Sequence, residues 1–185
     1  AMVGDRAAGR VGIGAGMGSK NLLAVAVKGT GDIKFFDKKS LIGKVRKVNK
    51  KLRDNPESAG WTKHGTTGDI PACDELGDWP TKNWQSNSWG KGEEIYDYFY
   101  NNNLVTNEGC YTGCPVACGR RARVGSGKYK TPEHGGAEYE SISAFTSFLL
   151  NDDVDAAVHS TYLCNEYGLD TISAGANIAF LMDCH

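Results

Sequence analysis

The sequence lacks a hydrophobic run long enough to cross a bilayer, since no stretch of about 18 consecutive apolar residues occurs in it. Its first residues, AMVGDRAAGR, lack the apolar segment of a secretory signal. Neither sign of charge is in excess: the net charge is -1, which predicts no affinity for nucleic acid or other polyanions. These absences predict a cytoplasmic protein without a membrane span. In such a protein cysteines are more often metal ligands or buried thiols than disulfides.

The sequence also lacks recognisable boundaries at its two ends. Residues 1–30 open on a glycine-rich loop that no predicted element precedes. The sequence stops at FLMDCH, inside an apolar helical pattern that has no cap. The 185 residues suffice for one domain with a sizeable core or for two small ones. We therefore expect an internal piece of a longer polypeptide, in contact with the remaining domains of that polypeptide.

The first half of the sequence predicts a strand, a helix and a long loop. A short apolar run followed by Gly-Thr-Gly-Asp predicts a buried strand over Leu22–Gly29. Apolar residues at helical spacing predict a helix over Asp37–Arg53, ended by Asp54-Asn55-Pro56, with basic residues on its other faces. Such a face is typical of a solvated helix, and docking of an acidic partner is the second interpretation. Residues 60–92 contain Trp79, Trp84 and Trp89 among Gly, Pro and Asn, and they predict an ordered loop.

Three helices are predicted in the last quarter of the sequence. The second of them starts with Asn151 as its N-cap and ends at Gly168, and the third starts at Asp170. The inward-facing positions of the three helices, in order, are Ile142, Phe145, Phe148 and Leu149; Val154, Val158, Thr161 and Tyr162; and Ile172, Ala176 and Phe180.

Half of the six cysteines lie in one nine-residue stretch, CYTGCPVAC, as Cys110, Cys114 and Cys118. Thiolates are soft ligands suited to iron–sulfur clusters and to zinc. Gly113 and Gly119 allow the backbone to turn around a compact inorganic core. Zinc sites usually combine two cysteine or cysteine–histidine pairs, and no second pair lies nearby. The stretch therefore favours an iron–sulfur cluster over zinc, and a purely structural role comes third.

Three arginines, Arg120, Arg121 and Arg123, follow the cysteines directly. Such cations can offset the negative charge of a cluster and donate hydrogen bonds to its sulfur, which raises the reduction potential. A solvated basic loop is the alternative. The fourth ligand of a cubane cluster must come from the rest of the polypeptide or from one of the other cysteines, Cys73, Cys164 and Cys184.

The glycine-rich stretch RVGIGAGMGSK matches no nucleotide-binding motif. A dinucleotide fingerprint needs glycine where Met17 or Ser19 stands, and the Gly-Lys-Ser/Thr order of a P-loop is replaced by Gly-Ser-Lys at residues 18–20. Backbone N–H groups that can approach an anion remain, with Arg6 and Arg10 beside them. A plain tight turn before a strand is equally consistent with these residues.

Two further stretches carry candidate polar groups. GGAEYES places Glu138 and Glu140 at the start of a helix, where a carboxylate either moves protons or stabilises the helix end. In CNEYGLDTIS, Gly168 permits a left-handed turn and Asp170 can cap the next helix. A structural role explains this turn fully. The same geometry also directs polar groups at a crevice in which a heterocycle can bind.

Taken together, these motifs resemble the tungsten-dependent aldehyde:ferredoxin oxidoreductase family. The resemblance covers nearly the whole sequence and depends on five stretches in the family's order, which are RAAGRVGIGAGMGSKNLLAVAVKG, GDWPTKNWQ, CYTGCPVAC, GGAEYES and NEYGLDTIS. It implies a mainly α fold. Residues 1–30 would be the C-terminal end of the pterin-binding β domain, with the glycine-rich loop and a strand. Residues 31–185 would be the helical second domain of the aldehyde ferredoxin oxidoreductase type, truncated at its C-terminal end.

The resemblance implies a site that no single motif reveals. One tungsten would be held between two molybdopterin dithiolenes, with a [4Fe-4S] cluster nearby and a Mg²⁺ ion bridging the pterin phosphates. The fourth cluster ligand would come from a further domain, and the other cysteines would be structural. The implied cluster ligands are Cys110, Cys114 and Cys118. The residues implied at the pterin phosphates are Arg6, Ala7, Gly9 and Arg10, with the carbonyl of Ala7 on the Mg²⁺. The residues implied at a pterin ring are Asn165, Leu169, Asp170 and Thr171.

The resemblance also implies the catalytic groups. Glu140 matches a glutamate near the metal and is the candidate proton carrier, with Glu138 as second choice. The sequence departs from the family pattern at three points. The first two cysteines are separated by three residues instead of two, and Asn165 replaces the aspartate that usually opens the pterin motif. His159 stands where some members have another acid, so it is a third catalytic candidate and leaves the substrate class open.

The reaction implied by the resemblance is oxidation of an aldehyde to a carboxylic acid. Tungsten would act as Lewis acid and two-electron acceptor while a carboxylate or imidazole takes a proton. Electrons would then leave singly through the cluster to ferredoxin or another electron-transfer protein of anaerobic metabolism. Two alternatives stand beside this interpretation: the tungsten subunit of a class II benzoyl-coenzyme A reductase, and a non-catalytic iron–sulfur or zinc module. Homo-oligomer formation also stays open.

Overall fold

The structure is a computed structural model that describes residues 2–3 and 5–185, with the backbone alone at Met2 and Val3. Helices make up most of the regular structure, as predicted from the sequence. Positions 1 and 4 of the predicted first domain lie outside the described residues, and the division at residue 30 stays a prediction. The α-helices are α1 (Ile13–Gly18), α2 (Lys38–Asp54), α3 (Pro56–His64), α4 (Ile70–Leu76), α5 (Gly92–Tyr98), α6 (Tyr139–Phe145), α7 (Val154–Tyr167) and α8 (Thr171–Asp183).

Two small antiparallel sheets accompany the helices. The first pairs β1 (Met2–Val3) with β2 (Arg6–Ala7). The second has the order β3 (Leu104–Glu108), β4 (Gly119–Ala122), β5 (His134–Gly135). In the second sheet Glu108 pairs with Gly119, so residues 109–118 form the loop of a β3–β4 hairpin. This loop contains the three clustered cysteines.

The predicted strand over Leu22–Gly29 is wrong, because these residues have no regular structure. Leu23 is 96% exposed and Val27 is 90% exposed. A strand is stable only when a neighbouring strand satisfies its backbone groups. None of the described strands lies beside this segment.

Helix α2 confirms the predicted basic helix and its end. The side chain of Asp37 accepts a hydrogen bond from the Ser40 N–H at 2.9 Å and caps the helix. Asn55 ends α2 and caps α3 by accepting from the Glu57 N–H at 2.8 Å. The apolar side of α2 stays exposed, as at Val48. The helix therefore adds little to the core of the described residues.

The predicted loop over residues 60–92 is wrong in its first half, where most of α3 and all of α4 are helical. Each of these helices has a proline in its first turn, where the missing N–H costs no hydrogen bond. The irregular second half is fixed by Asp74, whose carboxylate accepts hydrogen bonds from Ser88 Oγ and from the N–H groups of Trp89, Gly90 and Gly92. Burial opposes ionisation, but these donors hold the pKa of Asp74 below its usual value.

The tryptophans named in the predicted loop, Trp79, Trp84 and Trp89, differ in environment. Trp79 is fully buried in the main core, and its Nε1–H donates to Ser143 Oγ at 2.8 Å. Trp89 packs partly buried against the same core. Trp84 is exposed and meets Phe148 edge-on. The expectation that tryptophans order this loop by packing is confirmed for Trp79 and Trp89.

The last three helices are confirmed, with corrections to details. The N-cap of α7 is Asp153 instead of Asn151, because the Asp153 carboxylate accepts from the Ala156 N–H at 3.0 Å. The Asn151 amide donates instead to the Phe145 carbonyl at 2.9 Å. Gly168 ends α7 with a φ of 69°.

Helix α8 begins after Asp170, which accepts from the Ser173 N–H at 3.2 Å, as predicted. The predicted inward position of Phe180 is wrong, since this residue is exposed. Gly175 and Ala179 are buried instead, and a Cβ on Gly175 would lie 2.3 Å from the Ala144 carbonyl oxygen. Helices α6 and α8 therefore approach too closely for a large side chain.

The core is formed where α4, α5, α6 and α7 meet. Its buried members include Ile70, Ile95, Phe99, Ile142 and Val158. Within the described ranges, 2–3 and 5–185, no helix is both long enough and apolar enough to span a membrane.

Candidate functional site

The β3–β4 hairpin brings the ends of the cysteine loop together. Because Glu108 and Gly119 pair across the hairpin, Cys110 and Cys118 lie close to the same pair of strand ends. Within the loop, Gly113 has a φ of 90° and Ala117 a φ of 50°, both in the left-handed region. These two residues turn the backbone around Cys114.

All six cysteines are free thiols, and the three of the hairpin loop line one cleft of about 1040 Å³. The Ala117 N–H donates to Cys114 Sγ at 3.4 Å. Hydrogen bonds from the N–H groups of Ala117 and Val116 lower the pKa of the Cys114 thiol, so the loop favours a thiolate there. Backbone N–H donors to sulfur are typical around thiolate-bound clusters.

The three thiols of the hairpin loop are not placed to hold a single metal ion. Among the described residues, no three His, Cys, Asp or Glu side chains are placed to hold one metal ion. A cluster spreads its ligands farther apart than a single ion does, because each thiolate binds a different iron. Three free thiols that share one cleft, with N–H donors directed at a sulfur, therefore fit an iron–sulfur cluster.

Glu138 lies at the start of α6 and connects four parts of the chain at this cleft. Its Oε1 accepts from the Arg120 N–H at 3.0 Å, and its Oε2 accepts from Thr66 Oγ at 3.1 Å. Arg6 approaches Oε1 at 3.4 Å with both of its terminal nitrogens. The Thr66 hydroxyl also accepts from the Tyr139 N–H at 3.1 Å. Glu138 is therefore fixed in position by its donors.

Glu140 lies in the same cleft, and its side chain is exposed. It occupies the first turn of α6. The structure thus places two of the three catalytic candidates, Glu138 and Glu140, in the cleft with the cysteines. The two side chains have different surroundings. Glu138 is held by its donors, whereas Glu140 faces open space.

His159, the third catalytic candidate, does not line the cleft. Its ring lies near Tyr129 and Tyr162, with centroid distances of 5.8 Å and 6.3 Å, and its Nδ1 is 3.1 Å from the Tyr129 carbonyl oxygen. A catalytic role for His159 stays a prediction that this placement does not support.

Arg6 joins the N-terminal segment to the cleft. Its Nη2 donates to the Arg120 carbonyl at 2.9 Å and lies 3.3 Å from Glu108 Oε2. A Cβ on Gly135 would lie 2.6 Å from Arg6 Cγ, so the arginine packs flat against β5. The Arg6 side chain is 41% exposed, so part of it stays accessible to an anionic ligand.

The second half of the site forms where the N-terminal segment meets the α7–α8 turn. A Cβ on Gly9 would stand 2.5 Å from the Asp170 amide nitrogen, so only glycine fits this contact. Arg10 Nε lies 3.9 Å from Asp170 Oδ2. The two segments that the family resemblance assigns to the pterin are therefore in direct contact.

The remaining polar groups of this turn are tied to β5 and α6. The Asn165 amide donates to the Gly135 carbonyl at 2.9 Å. Thr171 Oγ1 lies 2.9 Å from Ser141 Oγ. Leu169 is exposed, and Ala7 lies in β2, half-buried. The turn is thus fixed in place while it keeps an exposed edge.

The cleft also has an apolar part. Pro80, Trp84, Phe148 and Ile172 line it, and the rings of Trp84 and Phe148 meet at 84° with centroids 5.4 Å apart. None of these residues is predicted at the site from the sequence. The GDWPTKNWQ stretch of the family resemblance contains two of them, Pro80 and Trp84, and is the sequence feature that could have indicated them.

The cysteines outside the loop differ in their surroundings. Cys164 is buried, and burial raises the pKa of its thiol. Cys73 lines the cleft, and Cys184 is exposed. A purely structural role is therefore best supported for Cys164.

Comparison with known proteins adds independent support. A family model described as "Aldehyde ferredoxin oxidoreductase, domains 2 & 3" matches residues 44–185. Tungsten-containing aldehyde ferredoxin oxidoreductases from Pyrococcus furiosus and Thermococcus kodakarensis are each 37% identical over 98% of this chain and 30% of the relative. The aliphatic sulfonate oxidoreductase, WOR-like subunit, of Pyrococcus furiosus is 30% identical over 97% of this chain and 28% of its own length.

The chain thus spans about 30% of the length of the curated relatives that it matches first. The family model covers more than half of the chain, including the cysteine loop, both glutamates and the α7–α8 turn. On this evidence the chain belongs to the aldehyde ferredoxin oxidoreductase family.

Proposed function

We propose that this chain is part of a tungstopterin enzyme that oxidises an aldehyde to a carboxylic acid in the cytoplasm. Its electrons leave through a [4Fe-4S] cluster to ferredoxin or a similar carrier. One observation carries the proposal: the three free thiols of the hairpin loop line the same cleft as Arg6, Glu138 and Glu140. The names of the relatives supply the metal and the carrier, since tungsten and ferredoxin are stated for those proteins.

Three cluster ligands come from the hairpin loop, namely Cys110, Cys114 and Cys118. The left-handed turn at Ala117 and its N–H bond to Cys114 Sγ support this assignment. The fourth ligand comes from another part of the polypeptide. When bound, the cluster accepts and releases one electron at a time.

The pterin phosphates lie along the N-terminal segment, where Arg6 and Arg10 supply positive charge and Gly9 gives close backbone approach. The carbonyl of Ala7 would be a ligand of the Mg²⁺ ion expected at these phosphates. The exposed fraction of Arg6 and the direct contact of Gly9 with the α7–α8 turn support this arrangement.

A pterin ring lies on the α7–α8 turn, held by Asn165, Leu169, Asp170 and Thr171. The Asn165 amide nitrogen is used by the Gly135 carbonyl, which leaves the amide oxygen for a pterin N–H. Asn165 replaces an aspartate of the family pattern, so this hydrogen bond is made without a full negative charge. Residues 1–30 and 31–185 then belong to two domains that share the cofactor.

Glu140 is the residue that moves the proton of the aldehyde reaction. It lines the cleft, its side chain is exposed, and a first-turn position on α6 holds its backbone rigidly. Glu138 instead orients Arg6 and the cysteine hairpin through its hydrogen bonds. Trp84 and Phe148 add apolar surface to the cleft, which suits the apolar part of an aldehyde.

The test is anaerobic purification of the full-length protein with elemental analysis and an aldehyde assay. We expect tungsten together with about four irons per chain, and aldehyde-dependent reduction of a viologen dye. Iron alone or zinc alone would make the protein an electron-transfer or structural module. Tungsten and iron without aldehyde oxidation would contradict the substrate class.

A further inference from the structure

Arg120 is a charged residue in the interior of the described structure. Its side chain is only 1% exposed, and its Nη2 donates to the carbonyls of Trp61 at 2.9 Å and Thr62 at 3.0 Å. Its Nε is buried and has no hydrogen-bond partner among the described residues. A guanidinium taken out of water without full compensation is destabilising, so its burial calls for a partner.

The described residues provide Arg120 with no carboxylate at ion-pair distance. Glu138 is the carboxylate that attracts its charge from farther away. The oxygens of Glu138 bind the Arg120 backbone N–H, Thr66 and Arg6 instead of the guanidinium. The positive charge of Arg120 is therefore not neutralised by a direct contact.

The cysteine loop lies next to Arg120 in the chain. Cys118 directly precedes β4 and Arg120 is the second residue of that strand, so the two are two residues apart. A cluster of thiolate-bound iron in this loop would place negative charge close to the buried guanidinium. Helix α3 holds both partners, because Thr62 Oγ1 donates to the Val116 carbonyl at 2.5 Å while its own carbonyl accepts from Arg120.

The two neighbouring arginines are placed differently. Arg121 forms ion pairs with Asp5 at 2.7 Å, with Glu108 at 3.5 Å and with Glu133, so local carboxylates neutralise it. Arg123 is exposed, and solvent screens its charge. Of the three arginines that follow the cysteines, only Arg120 combines burial with a charge that lacks a contacting carboxylate.

We propose that Arg120 is a positioning residue whose fixed positive charge raises the reduction potential of the iron–sulfur cluster at Cys110, Cys114 and Cys118. The inference rests on the proposed function. Reduction adds an electron to an assembly that already carries negative thiolates. A nearby cation in a medium of low dielectric constant therefore stabilises the reduced cluster more than the oxidised cluster.

The experiment is a redox titration of the cluster in the anaerobic full-length protein, followed by electron paramagnetic resonance. In Arg120→Gln we expect the ratio of reduced to oxidised cluster, at any fixed solution potential, to fall at least about tenfold. For a one-electron couple this is a shift of about 59 mV to more negative potential. Arg120→Lys keeps the charge, so the same ratio of reduced to oxidised cluster should fall no more than about threefold. In Arg123→Gln, the matched exposed control, the ratio should fall no more than about twofold.

Each outcome of this experiment either supports or contradicts the role of the Arg120 charge. An unchanged or higher potential in Arg120→Gln would overturn the inference, as would an equal shift in Arg123→Gln. If Arg120→Gln assembles no cluster and Arg120→Lys does, the need for positive charge is supported. If Arg120→Lys also fails to assemble it, the shape of the guanidinium is what matters and the inference is wrong.

The result is separable from the proposed function. Parent protein that contains no iron–sulfur cluster, or that oxidises no aldehyde, contradicts the proposed function before any variant is made. If the parent protein has a cluster and aldehyde activity, but the reduction potential of the cluster is the same in the Arg120 variants, this inference alone is contradicted.

Discussion

Gly9 lies directly against the backbone of Asp170, so that a Cβ on Gly9 would stand 2.5 Å from the Asp170 amide nitrogen. The contact joins a segment near one end of the chain to a turn near the other. In the proposed function the first segment holds the pterin phosphates and the turn holds a pterin ring. A single glycine therefore connects the two halves of the proposed cofactor site.

Replacement of Gly9 by Ala should separate the two segments. The added Cβ overlaps backbone atoms of Leu169 and Asp170, which cannot rotate away as a side chain would. We expect a loss of about 1–3 kcal/mol in the free energy of unfolding and a fall in tungsten content, measured by denaturation and elemental analysis. Gly16→Ala is the matched control, because a Cβ there meets no atom within 4 Å. Equal tungsten content in the two variants would contradict the predicted role.

The crossing of α6 and α8 gives a second prediction about a glycine. In Gly175→Ala the new Cβ would lie 2.3 Å from the Ala144 carbonyl oxygen, so the helices must move apart. We expect the free energy of unfolding to fall by about 1–3 kcal/mol in urea denaturation. Gly43→Ala in α2, where the Cβ meets open space, should instead gain about 0.5–1 kcal/mol. A stable Gly175→Ala variant would show that this crossing adapts easily.

The sequence predicted helices best where an apolar pattern at helical spacing runs along them. Asp170 caps α8 as predicted, because a cap depends only on residues within one turn. Helix α3 was missed since Pro56 was taken for a loop residue, although proline in a first turn starts helices well. The strand over Leu22–Gly29 was wrong because an apolar run predicts a strand only where a pairing strand is available.

The site was predictable in its residue types but not in its contacts. The cysteine spacing alone indicated a common ligand, and the hairpin pairing of Glu108 with Gly119 explains how the thiols are gathered. The network around Glu138 joins Arg6, Thr66 and Arg120 from distant parts of the chain. No local pattern encodes such contacts. The exposed Phe180 shows the same limit, because helical spacing does not reveal that α6 and α8 need small residues where they cross.

Buried His134 predicts a pH dependence of stability. Burial lowers the pKa of His134 below the 6.5 of a free histidine, and the charges of Arg121 and Arg6 lower it further. The Gly135 carbonyl and Asp5 favour protonation but do not cancel this effect. The unfolded chain therefore binds a proton here more readily than the folded chain. This contribution to stability is fully present above about pH 6.5 and is lost as the pH falls through the lower folded-state pKa.

His134→Gln should reduce the slope of the free energy of unfolding against pH, measured by denaturant unfolding between about pH 5 and about pH 8. The exposed His185 is the control position, and His185→Gln should leave the slope unchanged. A slope that persists fully in His134→Gln would assign the pH dependence to another group, of which His64 is the first candidate because burial lowers its pKa too.

Cys114 is the thiol on which the cluster assignment can be tested most directly. Serine offers a harder, weakly ionised oxygen in place of the thiolate. In Cys114→Ser we expect the visible absorbance of the cluster to vanish and iron to fall from about four per chain toward none. Cys184→Ser changes an exposed cysteine outside the cleft and should leave both unchanged. Normal absorbance in Cys114→Ser would remove this residue from the ligand set.

Glu138 and Glu140, which both line the cleft, should respond differently to the same change. Glu140→Gln removes a proton acceptor without removing a contact that holds the site, so turnover should fall about 10²-fold or more while tungsten and iron stay constant. Glu138→Gln places an amide opposite the donors Arg6, Thr66 and the Arg120 N–H. Because the amide nitrogen cannot accept a hydrogen bond, that variant should lose cofactor content and stability first. Steady-state assays normalised to tungsten separate the two cases. Unimpaired turnover per tungsten in Glu140→Gln, with full cofactor but no turnover in Glu138→Gln, would move the proton carrier to Glu138.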